Sequence, residues 1–159
     1  TSRHRSGKAD VLNERSVAAA PCRRYDTRKG MLDESRRPGP VAVIEDDDMS
    51  RHAIGRLLQA GGFEPALFDS AETFLQSPPS RDWLCLIVDV QLPGMSGIDL
   101  QRKLRLERPE VPIIVTTGNR VDVIRERAQQ AGCAASLWKP FSADSILTTL
   151  ASLAHHSDR

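Results

Sequence analysis

Residues 84–93 read LCLIVDVQLP: five apolar residues in a row, one carboxylate, then a turn closed by proline. Five consecutive apolar side chains leave no face for water, so the run predicts a central strand covered on both sides, the pattern of a parallel sheet. Asp89 then stands at the carboxyl end of that strand. In open parallel α/β sheets the connecting loops part there and leave a crevice for ligands. Taken alone, an Asp in this position is as readily a loop or helix-capping residue as a functional one.

The segments on either side repeat one theme. Residues 41–44 form a short buried strand that stops abruptly at Glu45-Asp46-Asp47-Asp48. Ile54, Leu57 and Leu58 give one apolar face to a helix from about residue 50 to 60, capped by Asp48 and ended by Gly61-Gly62. A second short strand covers 66–68. Ser70 caps a short helix carrying Phe74 and Leu75, which Pro78-Pro79 stops. After the central strand, Ser96 with Asp99 three residues on has the form of a capping box and opens a helix bearing Leu100 and Leu104.

A fourth strand is expected over 111–116, with Pro112 tolerated only near its start. Val121, Ile124, Ala128 and Ala131 line one face of the next helix, which Gly132 ends. Residues 135–138 make a fifth strand, and Ser142 caps a last helix with Ile146, Leu147, Leu150 and Leu153 inward. Five βα units with right-handed crossovers give an α/β fold, a doubly wound five-stranded parallel sheet. The expected strand order is 2-1-3-4-5, with the crevice between strands 1 and 3.

Bulk composition narrows the class further. A chain of 159 residues, 40% apolar and 27% charged, supports one folded domain with a proper core. No run approaches a membrane span and the first residues lack a signal-peptide core, so a soluble, intracellular protein is expected. Cys22, Cys85 and Cys133 are widely spaced and lack a metal-binding pattern, which argues against a disulfide framework or zinc site. The net charge of +1 conceals an asymmetry: residues 1–40 carry 10 Lys and Arg against 5 Asp and Glu, the remainder 12 against 16. Residues 1–40 end in Arg36-Arg37-Pro38-Gly39-Pro40 and read as a basic arm, flexible or partly helical over 9–20. Such an arm is either a solvated tail or a contact for nucleic acid or an acidic partner. Met31 is a candidate native start, which would make the preceding residues an extension.

The expected topology carries four polar features to one edge of the sheet. Strand 1 delivers Glu45 and Asp46, strand 3 Asp89, strand 4 Thr116-Thr117, and strand 5 Lys139 followed by Pro140. Three converging carboxylates repel one another unless a cation joins them. Oxygen donors without His or Cys suit a hard ion such as Mg²⁺. With Lys139 opposite, the site is prepared for an anion beside Asp89, and an in-line phosphoryl transfer would leave an acyl phosphate there. Asp47 and Asp48 read as a solvated acidic run, and His52, His155 and His156 as surface residues.

These residues carry a resemblance. The motifs VAVIEDDD, LIVDVQLPGMSG, IIVTTG, AG at 131–132 and KPF at 139–141 resemble those of response-regulator receiver domains of bacterial two-component signalling. The likeness covers residues 41–154, about three quarters of the chain, and leaves 155–159 as a tail. It implies a flavodoxin-like receiver fold with Asp89 as phosphoacceptor. It further implies Mg²⁺ held by Asp46 directly, by Glu45 mostly through water, by Asp89, and by the main-chain carbonyl of Gln91. Thr117 would be the switch hydroxyl, Lys139 the phosphate-binding lysine, and Lys139-Pro140 a cis peptide. The implied partners are a histidine kinase or phosphotransfer protein and a downstream protein target. A homodimer would form through the fourth helix, fifth strand and fifth helix. Neither membrane nor DNA contact is expected of this chain. The motif wording is closest to receivers fused to helix-turn-helix outputs.

One departure bears on mechanism. Receivers usually carry Phe or Tyr three residues before the lysine, and here that position is Ser136. The complete acid, Asp, Thr and Lys set nonetheless implies a non-enzymatic, cytoplasmic, stand-alone phosphoacceptor that signals through altered protein contacts. Its rivals are a constitutive docking module or phosphate sink with a decayed switch, and the receiver fragment of a DNA-binding transcription factor. An Asp-nucleophile phosphatase would need a second Asp two residues after Asp89, where Gln91 stands.

Overall fold

A computed structural model describes residues 39–78, 82–118 and 122–156. The expectations for residues 1–38, including the helical stretch, Cys22 and Met31, lie outside the described residues. Five strands alternate with five helices: β1 (Val41–Ile44), α1 (Asp48–Ala60), β2 (Pro65–Phe68), α2 (Ala71–Gln76), β3 (Cys85–Asp89), α3 (Gly97–Glu107), β4 (Ile113–Thr117), α4 (Asp122–Gln130), β5 (Ala135–Trp138) and α5 (Ala143–His156). All strand pairs are parallel, in the expected order β2-β1-β3-β4-β5. Among the described residues, no helix is long and apolar enough to cross a membrane.

The sheet is apolar on both sides because its three central strands are. Every residue of β1, β3 and β4 is buried. Alternate residues feed two separate cores. Val41, Val43, Cys85, Ile87 and Ile114 pack with Ile54 and Leu58 of α1 and Ile146 and Leu150 of α5. Ala42, Ile44, Leu86, Val88, Ile113 and Val115 pack with Phe74 of α2, Leu100 and Leu104 of α3, and Ala128 of α4. Cys85 lies within the first core, and burial pushes its thiol up to about 12, which leaves it an inert apolar residue. Gln101 is a polar exception in the second core: fully buried, it donates through Nε2 to the Ala128 carbonyl at 3.1 Å and ties α3 to α4.

Element boundaries depart from the sequence reading where polar atoms decide them. Asp47, not Asp48, caps α1, accepting from the Ser50 N–H at 2.8 Å, so the helix begins at Asp48 rather than near Ser50. The strand expected from Val111 starts at Ile113, because Val111 donates to the Arg108 carbonyl at 3.2 Å in a turn and Pro112 has no N–H to donate. Ser96 does cap α3, accepting from the Asp99 N–H, but Asp99 returns its carboxylate to the Ser96 hydroxyl rather than to its backbone. The complete reciprocal box is at Ser70 and Thr73 on α2.

Gly97 sets how closely α3 approaches the end of β3. A Cβ there would stand 2.1 Å from the Asp89 carbonyl oxygen, a backbone atom that has no flexible end to give way. Gly97→Ala is therefore expected to push α3 off the β3 turn and cost about 1–3 kcal/mol in urea unfolding. An unchanged midpoint would show that this approach is not tight.

Candidate functional site

Three strands deliver one charge cluster. Glu45 directly follows β1 and is 2% exposed although ionisable, and β3 ends at Asp89, 5% exposed. Lys139 follows β5 and reaches back across the sheet end, donating from Nζ to Glu45 Oε2 and to Asp89 Oδ2, each at 2.5 Å. Its side chain is 23% exposed against 2% for that of Glu45 and 7% for that of Asp89, so the lysine forms the solvent side of two otherwise buried carboxylates. The other Asp89 oxygen, Oδ1, accepts from the Gln91 N–H at 2.9 Å. Asp46 lies beside the pair with its carboxylate exposed, and the ligand atoms of Glu45, Asp46 and Asp89 all lie within 4.8 Å of one another.

Electrostatics follow from this placement. Burial pushes the Glu45 carboxyl up, the Lys139 hydrogen bond draws it back only in part, and the Asp89 charge raises it further. For Lys139, burial works downward, but the carboxylates of Asp89 and Glu45 outweigh it and hold the ammonium above the ordinary lysine value. The cluster is thus short of positive charge even with its lysine in place. Three oxygen donors close together, with no nitrogen or sulfur donor among them, fit a hard divalent cation.

The surrounding loops are fixed by the same residues. Thr117 ends β4 and is 3% exposed, and its carbonyl accepts from the Lys139 N–H at 2.9 Å, which locks the lysine backbone to the β4 end. Lys139-Pro140 is a cis peptide, as expected. The turn after β3 has Gly94 at φ +73° and is held from α2, whose Glu72 Oε1 accepts from the Met95 N–H at 2.9 Å. Thr116 is buried in the strand register opposite Asp89 and Leu137. Asp48 is exposed, and His52 is an exposed helix residue whose ring bonds the Asp48 carbonyl at 2.8 Å.

All six residues singled out in the sequence therefore lie at one end of the sheet; Gln91 enters through its N–H. Sequence reasoning missed Arg51, whose guanidinium donates to the Glu45 carbonyl at 2.9 Å. Its position three residues after Asp48, one helical turn on, was the available signal. Ser136 stands on β5 in register with Val115, and Trp138 in register with Thr117. Register neighbours in a parallel pair share a face, so a half-buried indole stands next to the Thr117 strand position where Ser136 offers no ring.

Two substitutions test these charges in opposite directions. Lys139→Met leaves two carboxylates facing each other and is expected to cost on the order of 2 kcal/mol at pH 7, less than a fully enclosed pair because the ammonium is partly solvated. Glu45→Gln is expected to raise the melting temperature at pH 7 in chelator. A carboxyl that folding raises favours its neutral form, so its contribution is greatest below the ordinary Glu range and is lost as pH climbs through the folded value. The Glu45→Gln melting curve, measured from pH 4 to 8, should converge on wild type at the acid end. A stabilised Lys139→Met protein would contradict the placement.

Comparison with known proteins agrees with this arrangement. The response regulator receiver domain family matches residues 41–151. Nodulation protein W of Bradyrhizobium diazoefficiens is 36% identical over 125 residues, 78% of this chain and 55% of that protein. Transcriptional regulatory protein FixJ of the same organism is 32% identical over 114 residues, 72% of this chain and 56% of FixJ. The chain spans about half the length of these curated relatives. Among solved structures, the BeF3-activated DrrB receiver domain, from Thermotoga maritima, superposes with a TM-score of 0.69 at 25% identity, covering 74% of this chain and 97% of that one. With its five-stranded 2-1-3-4-5 sheet and an acidic cluster facing a lysine at the strand ends, the chain belongs to the response regulator receiver domain family of two-component signalling.

Proposed function

We propose that the chain is the phosphoacceptor of a bacterial two-component phosphorelay, taking a phosphoryl group onto Asp89 and signalling by a change in which protein it binds. The observation that carries this reading is the Asp89 carboxylate itself. It is buried at a strand end, held by Lys139 and the Gln91 N–H, with Glu45 and Asp46 alongside. The donor is the phosphohistidine of a histidine kinase or phosphotransfer protein. An Asp89 carboxylate oxygen forms a bond to phosphorus, the phosphorus–nitrogen bond breaks, and the imidazole leaves with the electron pair. The product is an acyl phosphate on Asp89 and a neutral histidine once its nitrogen carries a proton.

Each neighbour has a task in that transfer. Glu45, Asp46, Asp89 and the main-chain carbonyl of Gln91 would hold Mg²⁺, which would neutralise charge on the carboxylates and phosphoryl oxygens. Lys139, shared between Glu45 and Asp89 in this structure, follows the charge onto a phosphoryl oxygen. The Thr117 hydroxyl donates to another. Phosphorylation adds close to two negative charges at the cluster, and these draw the Thr117 and Lys139 ends of β4 and β5 inward. The chain acts in the cytoplasm as an acceptor rather than an enzyme in its own right.

Ser136 favours a second reading, a constitutive docking module or phosphate sink, because the β5 position that usually holds a reporting ring is a serine. The chain spans about half of a relative named as a transcriptional regulatory protein, which favours a further variant, the receiver fragment of a DNA-binding transcription factor.

Acetyl phosphate with Mg²⁺ is expected to label the wild-type protein, and Asp89→Asn is expected to abolish that label. Stoichiometric labelling of the variant would place the phosphoacceptor elsewhere. Ser136→Tyr is expected to extend the amide shifts of the phosphorylated protein further along α5. A wild-type protein that binds its partner equally with and without phosphoryl would favour the docking module.

A further inference from the structure

Arg51 lies on the first turns of α1, and its guanidinium is turned back over the acidic loop. Nη1 donates to the Glu45 carbonyl at 2.9 Å and to the Asp46 carbonyl at 3.4 Å, while Nη2 pairs with Asp48. The side chain is only 13% exposed, which is unusual for arginine and shows that the contacts enclose it. The Asp47 N–H completes the loop by donating to Glu45 Oε1 at 3.3 Å. Two cations thus serve one loop from two sides: Lys139 holds the Glu45 carboxylate, and Arg51 holds the backbone that carries it.

We infer that Arg51 is a positioning residue for divalent-cation binding, fixing the Glu45 and Asp46 backbone so that their carboxylates face Asp89. The inference rests on the metal reading given above. Its physical basis is the fork of the guanidinium, which meets two carbonyls and a carboxylate at once. A lysine ammonium is a single point charge and cannot hold all three in that geometry. Simple electrostatics makes the opposite forecast. A fixed positive charge close to a cation site repels the cation, so removing it should tighten binding. The sign of the effect therefore separates positioning from charge.

The test is a calorimetric Mg²⁺ titration of the full chain as wild type, Arg51→Lys and Arg51→Met, with thermal melts in chelator to establish that each is folded. Positioning predicts that both variants bind Mg²⁺ about tenfold more weakly, the lower end of what loss of an outer-shell partner costs. Wild-type affinity in Arg51→Lys together with tighter binding in Arg51→Met would overturn the inference in favour of charge alone. If Arg51→Met does not fold, Arg51→Lys decides by itself: tenfold weaker binding supports positioning, and unchanged binding overturns it. A wild-type chain with no saturable Mg²⁺ binding would overturn the metal reading and the inference with it, whereas wild-type binding that neither variant alters would overturn the inference alone.

Discussion

The ion pairs from Lys139 to Glu45 and Asp89 are the constraint on which the site depends. Two carboxylates at the ends of β1 and β3 are almost wholly removed from water, an arrangement that burial and mutual repulsion both oppose. A lysine delivered by β5, two strands beyond β3 in the sheet, compensates them. The sheet is needed to make this meeting possible, since Glu45, Asp89 and Lys139 are far apart in sequence. The turn geometry then serves the cluster: the Gln91 N–H takes the second Asp89 oxygen, and the Lys139 N–H bonds the Thr117 carbonyl.

This compensation is incomplete, and its incompleteness is what makes the site chemically useful. One ammonium shared by two carboxylates leaves net negative charge, with Asp46 adding more at the solvent edge. In the proposed reading, a hard divalent ion would relieve that excess and a phosphoryl group would then supply a new anion for Lys139 to follow. Arg51 meets the same loop from the backbone side, donating to the Glu45 and Asp46 carbonyls.

Most of this was legible in the sequence for identifiable reasons. The five-residue apolar run before Asp89 could be accommodated only by a strand buried on both faces, and the same logic placed β1 and β4. Polar residues at strand ends then converged by topology alone, which is why Glu45, Asp46, Asp89, Thr117 and Lys139 could be grouped before any geometry. Single hydrogen bonds were legible at the serine caps Ser70, Ser96 and Ser142 but not everywhere. Whether Asp47 or Asp48 caps α1 turns on one backbone dihedral, and both have the same side chain. Arg51 was legible only in its spacing from Asp48, because its other partners are carbonyl oxygens, which every residue carries. Gly97 was hidden for a similar reason, since the clash its missing Cβ avoids is with the backbone of Asp89. Ser136 was visible as a departure, but only the strand register shows Trp138 beside the Thr117 position.

The most direct measurement is an amide NMR map of the wild-type chain with Mg²⁺ and beryllofluoride, compared with Mg²⁺ alone. A phosphoryl-accepting cluster should show beryllofluoride-dependent shifts centred on Asp89, Gln91, Thr117 and Lys139, and none when Mg²⁺ is withheld. An unchanged map, or shifts that arise equally without Mg²⁺ or centre away from Asp89, would contradict the assignment of this strand-end cluster as a phosphoryl site.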